Sequence, residues 1–509
     1  MAPTVRVWIG FAAMCLGMTM AILDIQIVAS SFTTIQTSLH VAADRLSWIQ
    51  TGYLMAEVIA IPLTGWLTRA LSLRGMFASA TLGFTLASVA CALCTTLPPF
   101  IALRVVQGFC GGMLIPGVFT SVFVMMPEKH RIPATALAGT LAVIAPTVGP
   151  TIGGYLTESY NWHWIFLINL VPGIVVAALV VGFVRLGEAD RTEFRRIDYL
   201  AVALAAIFLA TLELVLKEAP KHQWQGFYVD ACILICVVTG AGAIWRSLYK
   251  PHPFVDLYRF RERTFTLGCI LSFVLGLGLY GSVYLLALFL GIIREHSPLQ
   301  IGMIMIVSGA GQLATAPIAA WLESKVDSRI LTGFGYSLFS AGLIANGFAT
   351  ATTDYDGLFW PQIMRGASVM LCILPATRLA LDTLVPGEVA DGSALFNLMR
   401  NLGGAIGIAL VDTILDQRTP IHAEALGRRL QAGDVDAARL VGLPTEFFHG
   451  HDMGPVDETM RSFAEPLVRK AALVQSFNDA WIVIGVLFAL SLLVIPFMRR
   501  ARTTGSALR

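Results

Sequence analysis

The sequence has little charge. Asp, Glu, Lys and Arg make up 13% of its 509 residues, about half the ~25% of a soluble globular protein. Hydrophobic residues make up 56%, and the mean hydropathy is +0.72. A chain this apolar would aggregate in water, which excludes a soluble fold. The net charge of +2 sets up no global field to draw nucleic acid. Histidine is scarce: all nine lie in loops or at the ends of apolar runs. No His-Glu-x-x-His or Gly-x-Ser-x-Gly serves a site, so the chain does not read as a membrane metalloenzyme or hydrolase, and no cofactor or metal is expected. The eight cysteines all fall inside apolar runs, including the Cys91–Cys94 pair. They read as small packing residues with no disulfide framework. A cleavable leader is not expected either. The apolar run after Arg6 reaches Ser30, contains Asp24 and has no small-x-small site behind a short core, so it reads as a retained first helix.

What the chain does have is apolar runs of membrane-crossing length, for which about 20 residues suffice. Fourteen are expected: 7–31, 47–69, 76–96, 99–125, 134–157, 163–185, 198–217, 226–248, 265–293, 299–322, 329–350, 357–382, 391–417 and 478–498. Under this threading, one set of ends and loops holds Arg6, Arg69, Arg74, Arg131, Arg185, Arg195, Arg196, Arg259, Arg329 and Arg499 among others. The short loops opposite hold only Arg45, Lys217, Lys221 and Arg294. Positive charge marks the cytoplasmic side, so both termini are expected there. Residues 418–477 are polar and mixed in charge, and are expected outside the membrane, with a short helix over 422–430.

The chain repeats itself. Pro62, Trp66, Leu67 and Arg74 recur as Pro317, Trp321, Leu322 and Arg329, at an offset of 255. Gly108, Ala136, Leu137 and Gly149 recur as Gly366, Ala394, Leu395 and Gly407, at an offset of 258. A near-constant offset over four helices is the mark of two parallel half-bundles. The expected organisation is all-α: a six-helix bundle over 1–190, two inserted helices over 191–250, and a second six-helix bundle over 251–509 that includes 418–477.

Charges within apolar spans are costly, about 3 kcal/mol on insertion scales, and usually mark function. Asp24 and Glu57 are the acids best placed for proton transfer, and Arg104 can favour the charged form of an acid that approaches it. Static interhelical ion pairing is the alternative for all three. Arg104, Gln107 and Gly111 share one helix face, as do Asn397, Arg400, Asn401 and Gly404. Each face lines a cavity or bonds a neighbouring helix. Arg365 and Asp412 are weaker candidates, and Glu213 reads as interfacial. The repeat sets Arg400 opposite Ala142, so the halves differ chemically there. Its candidate partners are Asp24, Glu57 or an acid on the substrate, since Asp412, twelve residues on and about 18 Å along the helix, is out of reach of a direct pair. Gly149, Gly153 and Gly154 are expected to permit close helix approach, and Pro146 and Pro150 to bend the fifth span.

Several segments resemble major facilitator motifs. GWLTRALSLRG, Gly65 to Gly75, resembles the cytoplasmic loop motif of that superfamily. Gly65, Arg69 and Arg74 are kept, while Thr68 stands for the usual acid and Ser72 for the inner glycine. RVVQGFCGG, Arg104 to Gly112, resembles the motif whose intramembrane arginine is linked to proton transfer, with Gly108 inside it. APTVGPTIGG, Ala145 to Gly154, is similar to the antiporter motif, with Gly149, Pro150, Gly153 and Gly154 in place. WHWIFLINLVPG at Trp162 to Gly173, LDIQIV at Leu23 to Val28 and the run 47–67 extend the likeness to the fourteen-span drug:proton antiporter-2 family and its EmrB-type exporters. Where many relatives have Asp-x-Thr-Ile-Val-Asn, this chain has Gln26 and Ala29 for the Thr and Asn.

The resemblance implies two six-helix bundles plus two extra helices in the inner membrane, working by alternating access. It implies proton-driven export of hydrophobic, drug-like compounds, or of one metabolite, siderophore, fatty acid or lipid. It also implies a periplasmic adaptor and an outer-membrane channel as partners. Asp24, Glu57 and Arg104 would couple protons. Gln26, Gln107, Arg365, Asn397, Arg400 and Asn401 would line the cavity.

Overall fold

The computed structural model describes residues 5–39, 48–184, 189–250, 255–382, 384–385, 388–448 and 458–498. These fold into α1 (Val5–Ser30), α2 (Phe32–Leu39), α3 (Trp48–Ala92), α4 (Leu97–Gly112), α5 (Leu114–Met125) and α6 (Glu128–Ser159). There follow α7 (Trp164–Leu167), α8 (Leu170–Phe183), α9 (Glu193–Arg196), α10 (Tyr199–Glu218), α11 (Phe227–Tyr249) and α12 (Arg263–Leu288). The last are α13 (Pro298–Glu323), α14 (Ser328–Asn346), α15 (Tyr355–Leu381), α16 (Val389–Gln431), α17 (Val435–Val441) and α18 (Glu458–Ser491). No strand occurs among the described residues, since lipid leaves the backbone only helices or closed barrels.

Among the described residues, eleven helices are long and apolar enough to cross a membrane. The count is twelve with α6, which bends by 48° between Glu128–Pro146 and Thr151–Ser159. The bend sits where the sequence places Pro146 and Pro150; the Pro150 side chain lies outside the described residues. The 45-residue α3 is two legs, because Ser72 breaks it with φ 65° and ψ 159°. With α14, of 19 residues, the helices fit the fourteen expected spans.

Ser72 occupies the inner-glycine position of the loop. Its backbone region is close to glycine-only, and costs another residue about 1–3 kcal/mol. Its Oγ accepts the Gly75 N–H at 3.2 Å, which ties the turn together. Elsewhere the ends are capped as the sequence allows. Ser297 and Gln300 form a reciprocal box at the start of α13, and Asp327 and Asp354 accept from the first turns of α14 and α15.

The two large hydrophobic cores divide between the halves. One is built mainly from residues before 250 and includes Phe11, Met18, Phe77, Phe84 and Phe119. The other is built mainly from later residues and includes Leu285, Phe289, Phe339, Trp481 and Phe488. The repeat is visible in the packing: a Cβ on Gly108 would strike the Tyr53 carbonyl, and one on Gly366 the Ser308 carbonyl. Both contact residues stand at the offset of 255. Helices α10 and α11 pack on each other, with Gly240 against the Phe208 ring, and remain the least buried of the spans.

The region 418–477 differs from expectation. α16 runs on without a break to Gln431, and α18 begins at Glu458, well before its apolar stretch. Both continue because Leu426 and Leu430 close on Ala437, Ala438, Val441, Ala471 and Ala472 in a separate small core. The expected short helix is thus the far end of α16. That extension reaches about 20 Å past residue 417 at 1.5 Å per residue.

Candidate functional site: a buried ion pair and a seam of ion pairs

The first polar centre lies where α1, α4, the second leg of α3 and α8 approach. Arg104 Nη1 donates to Asp24 Oδ2 at 2.5 Å and to Gln107 Oε1 at 2.8 Å. Gln107 Nε2 donates to Asp24 Oδ1 at 3.1 Å, and Asn169 Nδ2 to the same oxygen at 2.9 Å. Asn169 also donates to Ser88 Oγ at 3.0 Å. Arg104 and Asp24 have no exposed side-chain surface. The guanidinium lies 4.3 Å over the Tyr53 ring, and its Nε donates to the Ile49 carbonyl at 3.4 Å. Asp24 and Arg104 thus form an interhelical ion pair in this structure. The helix face holding Arg104 and Gln107 bonds a neighbouring helix.

Glu57, one turn below Tyr53, is also buried. It makes no hydrogen bond or ion pair with any described residue. At the offset of 255 the second half carries Gln312, whose amide donates to the Thr140 carbonyl. The two halves therefore differ in charge at this position.

In the second half, Arg365 and Arg400 are both buried. Arg365 Nη1 donates to the Ser282 carbonyl at 3.4 Å. Arg400 lies 5.5 Å over the Phe119 ring and 5.4 Å over the Phe396 ring. Neither arginine pairs with a carboxylate among the described residues. Asn397 donates to the Ser393 carbonyl at 2.8 Å, and Asn401 accepts from Tyr280 at 3.5 Å. Asp412 accepts from Tyr284 at 2.8 Å. Of the partners expected for Arg400, Asp24 is thus committed elsewhere, to Arg104.

The remaining candidates separate. Gln26 does not join the Asp24 network, and its side chain fills the space that a Cβ on Gly149 would need. Gly153 is buried. At Gly154 a Cβ would meet nothing within 4 Å, so this glycine permits no close approach, contrary to expectation: α6 presents it to open space. Arg74 is exposed.

A second set of charges joins the halves at the end that the charge bias assigns to the cytoplasm. Arg69 Nη1 pairs with Asp391 at 2.6 Å, and Arg69 Nε with Glu193 at 3.3 Å. Gly65 is needed there, since a Cβ would strike Asp391. Arg131 pairs with Asp382 at 3.2 Å, which Arg378 also meets at 3.2 Å. Arg259 pairs with Glu388 at 2.9 Å within the second half. Ser393 donates to the Pro116 carbonyl at 3.2 Å. Asp391, Asp382 and Glu193 were not singled out from the sequence. The available signal was Thr68: a loop that keeps Arg69 but lacks its own acid needs one from elsewhere, and Asp391 opens the facing span. Asn169 sits within the WHWIFLINLVPG segment, where nothing but its polarity marks it.

The family model described as Major Facilitator Superfamily matches residues 14–408. The chain is 36% identical over 503 residues to the colistin resistance protein EmrB of Acinetobacter baumannii, covering 98% of each. It is 28% identical over 484 residues to the multidrug export protein EmrB of Escherichia coli, covering 94% of this chain and 93% of that one. It is 28% identical over 410 residues to the fatty acid resistance protein FarB of Neisseria gonorrhoeae, covering 80% of each. Among solved structures, the proton:xylose symporter XylE superposes with a TM-score of 0.61 at 12% identity, over 98% of each chain.

Proposed function

Because the chain belongs to the major facilitator superfamily, we propose that it exports hydrophobic, drug-like compounds across the inner membrane in exchange for protons. The single observation that carries the coupling is the contrast between two buried acids. Asp24 is held by Arg104, Gln107 and Asn169. Glu57 has no such partner and is free to take and release a proton as its surroundings alternate. Arg104 sits behind both, within reach of long-range electrostatics in a low-dielectric interior. Export as the direction follows the relatives named for multidrug export and colistin resistance.

In this reading residues 1–190 and 251–509 form the two moving bundles, 191–250 the inserted pair, and both termini are cytoplasmic. The ion pairs Arg69–Asp391 and Arg131–Asp382 hold the cytoplasmic side shut in the state described. Opening that side requires those pairs to part while the bundles rock about the substrate. Each proton crossing 100 mV releases about 2.3 kcal/mol, and no cofactor is needed. A periplasmic adaptor and an outer-membrane channel complete the path.

A dedicated exporter of one fatty acid or lipid is the second reading, favoured by the relative named for fatty acid resistance. A panel of compounds on an efflux-deficient host, with and without a protonophore, separates the two. Resistance to several unrelated amphiphiles, lost with the gradient, supports the first. Resistance to a single compound class supports the second, and resistance that survives collapse of the gradient contradicts both.

A further inference from the structure

Arg400 occupies an unusual place. Its helix enters at Asp391, which holds Arg69 across the seam. Half a turn on, Ser393 holds the Pro116 carbonyl. Then Arg400 itself lies between Phe119 of the first half and Phe396 of its own helix. Its Nε and Nη2 are buried without a hydrogen-bond partner. A guanidinium carries five donors in a rigid fork matched to carboxylate and phosphate, and an orphaned buried donor is expensive. Arg104, the other intramembrane arginine on the first half, has Asp24 to neutralise it. Arg400 has aromatic faces and nothing anionic. The nearby hydroxyls donate elsewhere, Tyr280 to Asn401 and Tyr336 to the Leu271 carbonyl, and neither oxygen accepts from Arg400 Nε or Nη2.

The seam also sets when this guanidinium is reachable. The Arg69–Asp391 pair, the Ser393–Pro116 bond and the Arg400–Phe119 contact lie in order along one helix. Phe119 belongs to the first half, so separation of the halves at the first two removes one aromatic wall from Arg400. The aromatic walls then suit an apolar body, and the fork suits its charged head.

We propose that Arg400 is the receptor for the anionic head group of an amphiphilic substrate taken up as the seam opens. The ligand class is a carboxylate, or a similar monoanion, on a hydrophobic body. This rests on the export reading for its purpose, but binding itself needs no gradient and is tested separately.

The test uses the purified full-length chain in phosphatidylcholine nanodiscs and three ligands that share one body: 2-naphthoate, 2-naphthylmethanol and a 2-naphthylmethylammonium salt. Affinities are read by isothermal titration. The wild type should prefer naphthoate over the neutral alcohol by about tenfold or more, as expected for a hydrogen bond to a charged group. Equal affinities would overturn the proposal without any variant. Arg400→Gln should remove that preference while leaving the alcohol's affinity within about threefold, and Arg400→Lys should keep part of it. Loss of both ligands in a variant that melts like the wild type would make Arg400 a packing residue and contradict the site. Nanodiscs of phosphatidylglycerol distinguish a lipid head group from a substrate: unchanged naphthoate affinity supports the substrate, while competitive loss assigns the site to lipid and overturns it. Export that proves independent of protons would refute the coupling reading and leave this result standing.

Discussion

At the scale of single residues, the two buried acids make different predictions. Asp24→Asn leaves the Arg104 charge uncompensated in a fully buried site, which costs about 3–5 kcal/mol. The melting temperature of the purified protein should fall clearly, and the double change Asp24→Asn with Arg104→Gln should recover most of it. A single variant as stable as the wild type would show that the pair is not held as described. Glu57→Gln breaks no hydrogen bond to a described residue and should leave melting unchanged while abolishing proton-driven export. Ser72 offers a prediction of the opposite sign. Glycine adopts its backbone angles without strain, so Ser72→Gly should raise stability by roughly 1 kcal/mol, less whatever the Ser72–Gly75 bond contributes. Thermal unfolding in detergent reads this directly, and a destabilised variant would mean that the side-chain bond outweighs the strain.

At the scale of elements, much was legible because lipid simplifies the rules. Apolar length marked the spans, and the repeat marked Gly108 and Gly366 as equivalent, which the structure matches by packing them on Tyr53 and Ser308. The extension of α16 to Gln431 was not legible as a continuous helix. Leu426 and Leu430 are too few to mark one without Ala471 and Ala472, which arrive from a segment 40 residues later. Asn169 and Asp391 were hidden for the same reason, since a polar residue declares a partner only when the fold brings one. Another pairing invisible to the sequence is the clasp of Arg294 and His296 on Asp354, at 2.7 and 3.0 Å. Partial burial of Asp354 opposes its ionisation. The bonds from His296, Arg294 and the Tyr355 N–H outweigh this and hold the carboxyl at about 2. A depressed acid stabilises the fold fully above its ordinary value near 4 and loses that contribution as pH falls through 2. The melting temperature of the wild type should therefore drop more steeply than that of Asp354→Asn between pH 4 and 2. Parallel curves would remove the clasp from the stability of this outer end.

At the scale of the whole molecule, the account joins a closed seam to a proton-bearing acid through the rocking of two halves. Its asymmetry is chemical rather than architectural. Glu57 stands where the second half has Gln312 and Arg400 where the first half has Ala142, and Arg104 has a counter-ion while Arg365 and Arg400 have none among the described residues. The repeat places equivalent glycine contacts in each half, Gly108 on Tyr53 and Gly366 on Ser308, and these substitutions are where the two halves differ. The central claim is exchange of substrate for protons, and one measurement addresses it most directly. The purified protein is reconstituted into liposomes with an acidic lumen, and an amphiphile identified by the cell panel is followed as it accumulates, alongside lumenal pH. The account predicts accumulation accompanied by proton exit, both lost when the gradient is collapsed and both absent in Glu57→Gln. Accumulation that persists without the gradient, or a Glu57→Gln protein that exchanges protons at the wild-type rate, would contradict it.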